Sequence, residues 1–106
     1  MSYRFMRTII FFDLPTITQQ DRREYRKFRK FLINEGFIMM QESVYSKLLL
    51  NSTAMKTMQY RIERNKPKKG LVQSLIITEK QFSSIAYIVG ENNSKIRDDD
   101  NRIVII

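Results

Sequence analysis

The sequence predicts an α+β protein with a ferredoxin-like βαββαβ sandwich and a short C-terminal β extension. The prediction rests on the order of apolar strand-length segments and amphipathic helical segments, and on capping and glycine signals at the helix ends. In this fold two helices cover one face of an antiparallel sheet. We expect a single domain over residues 1–106, with its core at about 3–82 and the β extension at about 83–106.

The first strand is predicted over residues 4–12, and it is apolar on both faces. Its side chains alternate, with Phe5, Ile9 and Phe11 on one face and Met6, Ile10 and Phe12 on the other. Two helices can cover only one face of the sheet, so the other face requires a different cover. We expect a second copy packed face to face, which predicts a homodimer.

A helix is predicted over residues 18–35, with Thr18 as N-cap, Asp21 as its capping-box partner and Gly36 as the stop. One stripe of this helix is apolar and should face the core: Tyr25, Phe28, Phe31 and Leu32. The opposite face carries the cations Arg22, Arg23, Arg26, Lys27, Arg29 and Lys30. A solvated helix face is the alternative, but the excess of cations over acids favours contact with phosphates.

The remaining elements follow from shorter signals. We predict strands at 37–41, 43–50 and 71–77, a helix at about 53–65, a helical turn at 78–82, and short strands at 86–89 and 103–106. The buried stripe of the helix at 53–65 should consist of Ala54, Met55, Met58 and Ile62. A bulge or bend is expected near 41–43. The two short terminal strands should add to a sheet edge, either of this chain or of a partner copy. The loop at 66–70 contains Lys66, Lys68 and Lys69, which we predict also bind nucleic acid.

Composition restricts the chemistry. The net charge is +8, and the chain has no cysteine and no histidine. Disulfides, thiolate metal sites and histidine-assisted nucleophiles are therefore excluded. A metal would have to be held by oxygen atoms, which favours Mg²⁺, Mn²⁺ or Ca²⁺. These features are typical of a cytoplasmic protein with an anionic partner and no membrane association.

Asp13 is the candidate functional residue. It follows the apolar run of the first strand and precedes Leu14-Pro15, at a place where the core has no use for a carboxylate. A fixed acid on a basic protein suggests a metal ion held beside a nucleic acid. The alternative is that Asp13 only ends the strand or caps a turn. In a two-fold dimer, two copies of Asp13 could approach each other around a cation.

Ordered motifs give this chain a family resemblance. The segment Ile10-Phe11-Phe12-Asp13-Leu14-Pro15, the basic helix, Gly36-Phe37 and Gln41-Glu42-Ser43-Val44-Tyr45 resemble the small CRISPR-associated adaptation protein, the non-integrase partner in spacer acquisition. The resemblance implies a ferredoxin-like homodimer that binds a divalent metal through Asp13. It also implies a complex with the CRISPR integrase subunit, which inserts duplex DNA into the repeat array. Members are also described as metal-dependent nucleases acting on RNA or duplex DNA.

The sequence thus leaves several functions open. We favour a homodimeric scaffold that binds duplex DNA with the integrase, because the chain offers one candidate acid per protomer and no histidine for proton transfer. The alternative is a Mg²⁺-dependent endonuclease that cleaves RNA or double-stranded DNA through Asp13. A generic RNA-binding domain is less consistent with the apolar sheet face, which suits dimer packing better than base stacking.

Overall fold

The computed structural model describes residues 5–90. The elements are β1 (Met6–Asp13), α1 (Gln19–Asn34), β2 (Ile38–Gln41), β3 (Val44–Leu49), α2 (Ser52–Arg64), β4 (Leu71–Thr78) and α3 (Glu79–Ser83). The four strands form one sheet in the order β2-β3-β1-β4, with every neighbouring pair antiparallel. This architecture confirms the predicted ferredoxin-like fold.

The register of β1 determines what surrounds its C-terminal end. On one side Phe11 pairs with Val44 at the start of β3, and on the other Asp13 pairs with Leu71 at the start of β4. The turn between β2 and β3 and the loop that precedes β4 therefore both lie beside Asp13. Because α1 follows β1 after a short loop, its N-terminal end lies near the same place.

The core lies between the sheet and the two long helices. Its buried side chains come from both layers: Ile10, Phe12, Tyr45 and Leu49 from strands, and Phe28, Leu32, Met58 and Ile62 from helices. Tyr25, Phe31, Ala54 and Met55 pack against this cluster, so the apolar stripes predicted for both helices are confirmed. The ring of Phe12 meets that of Phe28 edge to face, with the centroids 5.2 Å apart.

Local signals set the ends of α1 as predicted. The Thr18 hydroxyl accepts a hydrogen bond from the backbone N–H of Asp21, whose carboxylate accepts one from the backbone N–H of Thr18. This capping box satisfies two of the free N–H groups at the helix start. At the other end Gly36 has a φ of 96°, a conformation that favours glycine.

The β2–β3 connection is the expected bulged turn. The register shifts between Met39 and Gln41, and Glu42 and Ser43 form the turn itself. Ser43 has a φ of 68°, which is uncommon for a residue other than glycine. A strained residue of this kind is retained only where surrounding contacts fix it.

The face of the sheet opposite the helices is only partly covered. Two leucines on this face are well exposed: Leu75 on the edge strand β4 at 49%, and Leu48 on the inner strand β3 at 40%. The short helix α3 covers one end, where the Arg7 guanidinium lies 4.1 Å from the centroid of the Phe82 ring. The predicted need for a second cover over this face therefore remains.

One predicted strand is wrong. Residues 86–89 form no strand and pair with no sheet edge within residues 5–90, and Ile88 and Val89 are 89% and 90% exposed. The apolar run is too short to stand alone, and it pairs with neither edge strand of this sheet, β2 or β4. The other predicted terminal strand, 103–106, lies outside the described residues. Within those residues, no helix is long and apolar enough to cross a membrane.

Candidate functional site

A cleft of about 490 Å³ opens beside the C-terminal end of β1. Its charged and polar lining comes from three parts of the chain. The end of β1 and the loop after it supply Asp13 and Thr16, α1 supplies Arg22, Tyr25 and Arg26, and the β2–β3 turn supplies Glu42 and Ser43. Carboxylates and arginines therefore share one concave surface. Such a surface can hold a phosphate-bearing ligand together with a cation.

Packing against β4 fixes the strand end that carries Asp13. Gly70 has a φ of 95°, and a Cβ built on it would lie 2.8 Å from the backbone oxygen of Asp13 and 2.7 Å from Leu14 Cδ2. Only glycine allows this close approach without a shift. Leu14 is buried in the core cluster, whereas Asp13 is exposed. Buried neighbours thus hold an exposed carboxylate at the cleft.

The bulged turn supplies a second wall of the cleft. The backbone N–H of Phe12 donates a hydrogen bond of 3.0 Å to the Ser43 carbonyl oxygen, which ties the turn to β1 one residue before Asp13. The hydroxyls of Tyr25 and Ser43 are 3.5 Å apart, which brings the turn close to α1 as well. These contacts account for the unusual φ of Ser43 and bring Glu42 to the cleft.

The first turns of α1 form the basic wall. The Arg22 side chain donates hydrogen bonds from Nη1 to the carbonyl oxygens of Thr16 and Ile17, at 3.2 and 2.8 Å. These bonds hold the loop between β1 and α1. Arg26, one helical turn later, also lines the cleft and forms no salt bridge with any residue in the described range. Its guanidinium is therefore available to an anionic ligand.

The other predicted nucleic-acid-binding residues of α1 lie outside the cleft lining. They are exposed along the rest of the helix: Arg23, Lys27, Arg29 and Lys30. The predicted cationic face of α1 is thus divided into a cleft part and an outer part. The outer part can contact a nucleic-acid backbone without involving Asp13.

The loop at residues 66–70, which carries Lys66, Lys68 and Lys69, contacts the start of α1. Lys69 Nζ is 3.2 Å from the carboxylate of Asp21, and Lys66 Nζ is 3.6 Å from that of Glu63. The backbone hydrogen bond from Thr18, assisted by Lys69, lowers the pKa of Asp21. Lys66, Lys68 and Lys69 lie on the surface, so the loop extends the basic surface around the Asp13 end of β1.

The oxygen donors of the cleft fit a magnesium-type ion. Residues 5–90 contain no cluster of three or more carboxylate, imidazole or thiol groups that could enclose a metal. The cleft offers the carboxylates of Asp13 and Glu42. Mg²⁺ commonly binds one or two protein carboxylates and completes its coordination with water and substrate phosphates. The donor set suits that mode of binding and not a closed structural site.

Comparison with known proteins agrees with the fold and the motifs. Residues 6–85 match the protein family described as CRISPR associated protein Cas2. The chain belongs to the Cas2 family. A curated relative from Streptococcus mutans, named CRISPR-associated endoribonuclease Cas2, is 52% identical over 101 residues, which cover 95% of this chain and 93% of the relative.

Two further Cas2 relatives carry the same name. The protein of Treponema denticola is 50% identical and that of Ligilactobacillus salivarius is 48% identical, each over 101 residues that cover 95% of this chain and all of the relative. The resemblance to a CRISPR adaptation protein is therefore confirmed. The names of these relatives support the endonuclease alternative better than the scaffold role.

Sequence patterns predict part of this candidate site and miss part of it. Asp13, Arg22 and Arg26 were predicted, and the structure brings them together at the cleft. Glu42 was not predicted, and the expectation of one candidate acid per protomer needs correction, because Glu42 lines the same cleft as Asp13. Its turn position was visible in the sequence, but its proximity to Asp13 depends on the pairing of β1 with β3.

Proposed function

We propose that this Cas2 protein is a metal-dependent endonuclease that hydrolyses phosphodiester bonds of RNA in the cleft beside Asp13. The supporting observation is the opposition of charge in one cleft, with the carboxylate of Asp13 on one wall and Arg22 and Arg26 on another. The relatives from three bacteria carry the name endoribonuclease, which supports RNA as the substrate.

The roles of the residues follow from their chemistry. Asp13 would hold a divalent cation, which when bound would stabilise negative charge on the phosphate oxygens. Arg26 would bind the same phosphate from the opposite wall, since a guanidinium donates two parallel hydrogen bonds to such a group. Arg22 holds the loop that follows Asp13 through its hydrogen bonds to the carbonyl oxygens of Thr16 and Ile17.

Hydrolysis then requires only water as the second reactant. The water oxygen forms a new bond to phosphorus while the bond from phosphorus to the leaving sugar oxygen breaks, and a water proton ends on that oxygen. With no histidine in the chain, positioning and electrostatic stabilisation must supply most of the rate acceleration.

Cleavage of a labelled single-stranded RNA during a Mg²⁺ titration tests this proposal. Asp13→Asn keeps the shape of the side chain and removes its charge, so we expect the cleavage rate to fall at least about 100-fold. The control is Glu63→Gln, which removes an exposed carboxylate on α2 and should leave the rate unchanged. Equal cleavage by Asp13→Asn and wild-type protein would reject the proposal.

A second function is favoured by other surfaces. The partly exposed apolar face of the sheet suits a homodimer, and the outer cations of α1 suit the backbone of duplex DNA. We propose a scaffold role on these grounds, with the CRISPR integrase subunit as partner in cytoplasmic spacer acquisition. An integration assay with the complex should tolerate Asp13→Asn if the scaffold role is independent of cleavage.

The two assays together separate the functions. Loss of RNA cleavage with retained integration would assign Asp13 to the nuclease alone. Loss of integration by an Asp13→Asn protein that still dimerises and binds the integrase would show that the scaffold role also needs this carboxylate.

A further inference from the structure

We infer that Tyr60, on the outer face of α2, stacks on an unpaired base of single-stranded RNA that reaches it along the cations Arg64, Lys66 and Lys68. The inference rests on the proposed function, which supplies RNA as the ligand. It adds a binding surface that lies outside the cleft and holds a part of the strand that is not cleaved. We call these four residues the α2 surface.

Tyr60 lies on the side of α2 that faces away from the core. Met58 and Ile62 are buried, and Tyr60 is two residues from each, which places it on the opposite side of a helix with about 3.6 residues per turn. Tyr60 is 59% exposed, whereas Tyr45 in the core is 1% exposed. The core therefore makes little use of this ring, and a ligand can reach it.

Arg64 holds the Tyr60 ring in place. It follows Tyr60 by about one helical turn, its Nη1 donates a hydrogen bond of 2.7 Å to the Tyr60 hydroxyl oxygen, and its Cζ lies 5.5 Å from the ring centroid. An exposed pair of this kind adds little to the stability of a helix. It does restrict the ring before a ligand arrives, which lowers the entropy cost of stacking on it.

The loop at residues 66–70 connects α2 to the cleft. Lys69 Nζ is 3.2 Å from the carboxylate of Asp21 at the start of α1, and Gly70 packs against the backbone of Asp13. At its other end, the loop begins two residues after the end of α2. A strand held in the cleft can therefore continue over this loop to the outer face of α2.

The cations along this route are mostly without acid partners. Arg61, on the same helix, binds the carboxylate of Glu35 and so has a structural partner. Arg64 and Lys68 form no salt bridge in the described part of the chain, and both are exposed. Lys66 lies between them and is 3.6 Å from a carboxylate of α2, in a pair that is itself exposed. These side chains can contact successive phosphates of an anionic strand.

A ring next to such cations favours a single strand over a duplex. Proteins that bind single-stranded nucleic acid use cations to follow the backbone and aromatic side chains to stack on bases. In a duplex the base faces are covered by neighbouring bases, so a duplex can contact the cations but not the ring. The α2 surface therefore suits unpaired RNA, and the duplex contacts proposed above remain with the outer cations of α1.

Binding of a short fluorescent oligouridine in EDTA tests the ring, because without divalent cations no metal-dependent cleavage occurs. Tyr60→Ala should weaken binding about tenfold, which is within the usual range for loss of one stacked base. Tyr60→Phe keeps the ring, so its affinity should stay within about twofold of wild type. Gln59→Ala changes the neighbouring exposed residue of α2 and is the matched control, with no expected effect.

A duplex RNA of the same length is the comparison ligand, and Tyr60→Ala should change its affinity by less than about twofold. Equal losses on the two ligands would overturn the inference, as would an unchanged affinity of Tyr60→Ala for oligouridine. A loss in Tyr60→Phe as large as that in Tyr60→Ala would show that the hydroxyl, and not stacking, is responsible.

The salt dependence of oligouridine binding tests the cations. Replacing Arg64 and Lys68 together by Gln should flatten the slope of log K against log salt by about 1.4, because each phosphate neutralised on a single strand contributes about 0.7. Lys56→Gln is the control, because Lys56 is exposed on α2 one turn before Tyr60, on the side away from the loop. An unaltered slope in the double variant would reject the route over the loop.

These outcomes are distinct from failure of the nuclease proposal. If wild-type protein binds oligouridine with the expected dependence on Tyr60 but cleaves no RNA, the α2 surface stands and the nuclease proposal falls. If wild-type protein cleaves RNA through Asp13 while Tyr60→Ala binds oligouridine normally, the nuclease proposal stands and the α2 surface is wrong.

Discussion

The two ends of β1 use charge in opposite ways. Near the start, Arg7 Nε and Nη2 donate hydrogen bonds to the two carboxylate oxygens of Glu79 at 2.9 and 2.8 Å, and the guanidinium stacks on Phe82. At the other end, Asp13 is exposed, and its side chain forms no hydrogen bond or salt bridge with any residue from 5 to 90. The first charge is paired within the fold, and the second has no partner in the described part of the chain.

A charged residue in an apolar strand can be paired within the fold or remain unpaired at the surface. The sequence allowed Asp13 to be a mere strand end or turn cap, and no contact in the described part of the chain supports the cap. Arg7 carries no functional signal in the sequence, although it is the charged residue with the more complete set of partners. Arg7 has partners in the fold and Asp13 has none among residues 5–90, and this difference is visible only in the folded chain.

The largest predicted effect is on dimerisation, and it comes from a residue beside the middle of β1, between these two ends. Leu75 on β4 pairs with Ile9 near the middle of β1, on the incompletely covered face. If a second copy covers this face, Leu75→Asp buries two carboxylates per dimer, and we expect the dimer dissociation constant to rise at least about 100-fold. Sedimentation equilibrium measures it.

The control for dimerisation is Ile17→Asp. Ile17 is 84% exposed in the loop between β1 and α1 and belongs to no strand of the sheet, so its replacement should not affect association. Because Leu75 is 49% exposed in the single chain, the variant should still fold. A wild-type chain that sediments as a monomer at micromolar concentration would contradict the homodimer itself.

The next largest predicted effect is on the free energy of unfolding, and it comes from Arg7 near the start of β1. Arg7→Met keeps the aliphatic length but removes the paired hydrogen bonds and the stacking on Phe82, so we expect the free energy of unfolding to fall by about 1–2 kcal/mol. Arg64→Met is the matched control, because Arg64 contacts the ring and hydroxyl of an exposed tyrosine. Its cost should stay below about 0.5 kcal/mol. Urea denaturation measures both, and equal losses would contradict a special role for Arg7.

Sequence patterns were sufficient for the parts of the fold that local chemistry specifies. The capping box at Thr18, the stop at Gly36 and the apolar stripes of both helices depend on residues a few positions apart. Their periodicity and conformational preferences are therefore visible in the chain itself. The strand-end position of Asp13 was visible for the same reason.

Features that depend on long-range pairing were not predictable. Glu42 reaches the cleft because β3 pairs with β1 in one register, and Gly70 closes against Asp13 because β4 pairs on the other side. The predicted strand at 86–89 is absent for the same kind of reason: an apolar run becomes a strand only when it pairs with a sheet edge, and this run pairs with neither β2 nor β4.

A smaller effect is predicted on the salt dependence of DNA binding, which should depend on the outer cations of α1. If four to six cations bind phosphates, the slope of log K against log salt for duplex DNA should be roughly −4 to −5. Replacing Arg23 and Lys27 by Gln should flatten the slope by about 1.8, because each phosphate that a cation neutralises adds about 0.9 to its steepness. Replacing the exposed Lys56 and Lys80 is the matched control and should leave the slope unchanged. An unaltered slope in the first variant would locate the phosphate-binding cations elsewhere. The next candidates would then be Lys66, Lys68 and Lys69.

The smallest predicted effect is a pH dependence of the free energy of unfolding, which comes from Asp21 at the start of α1. Asp21 has a pKa below its ordinary value of 3.8, chiefly because its carboxylate accepts a hydrogen bond from the Thr18 backbone and secondarily because of Lys69. A group whose pKa is lower in the folded state stabilises the fold fully above its unfolded pKa, and this stabilisation is lost as the pH falls through the folded pKa. The free energy of unfolding should therefore decrease as the solution is acidified below pH 3.8, and Asp21→Asn should make that decrease shallower. Lys69→Gln should alter it less, because the Thr18 hydrogen bond remains. Chemical denaturation across the acid range measures the slopes, and an equal change in the two variants would show that Lys69, not the helix cap, dominates the environment of Asp21.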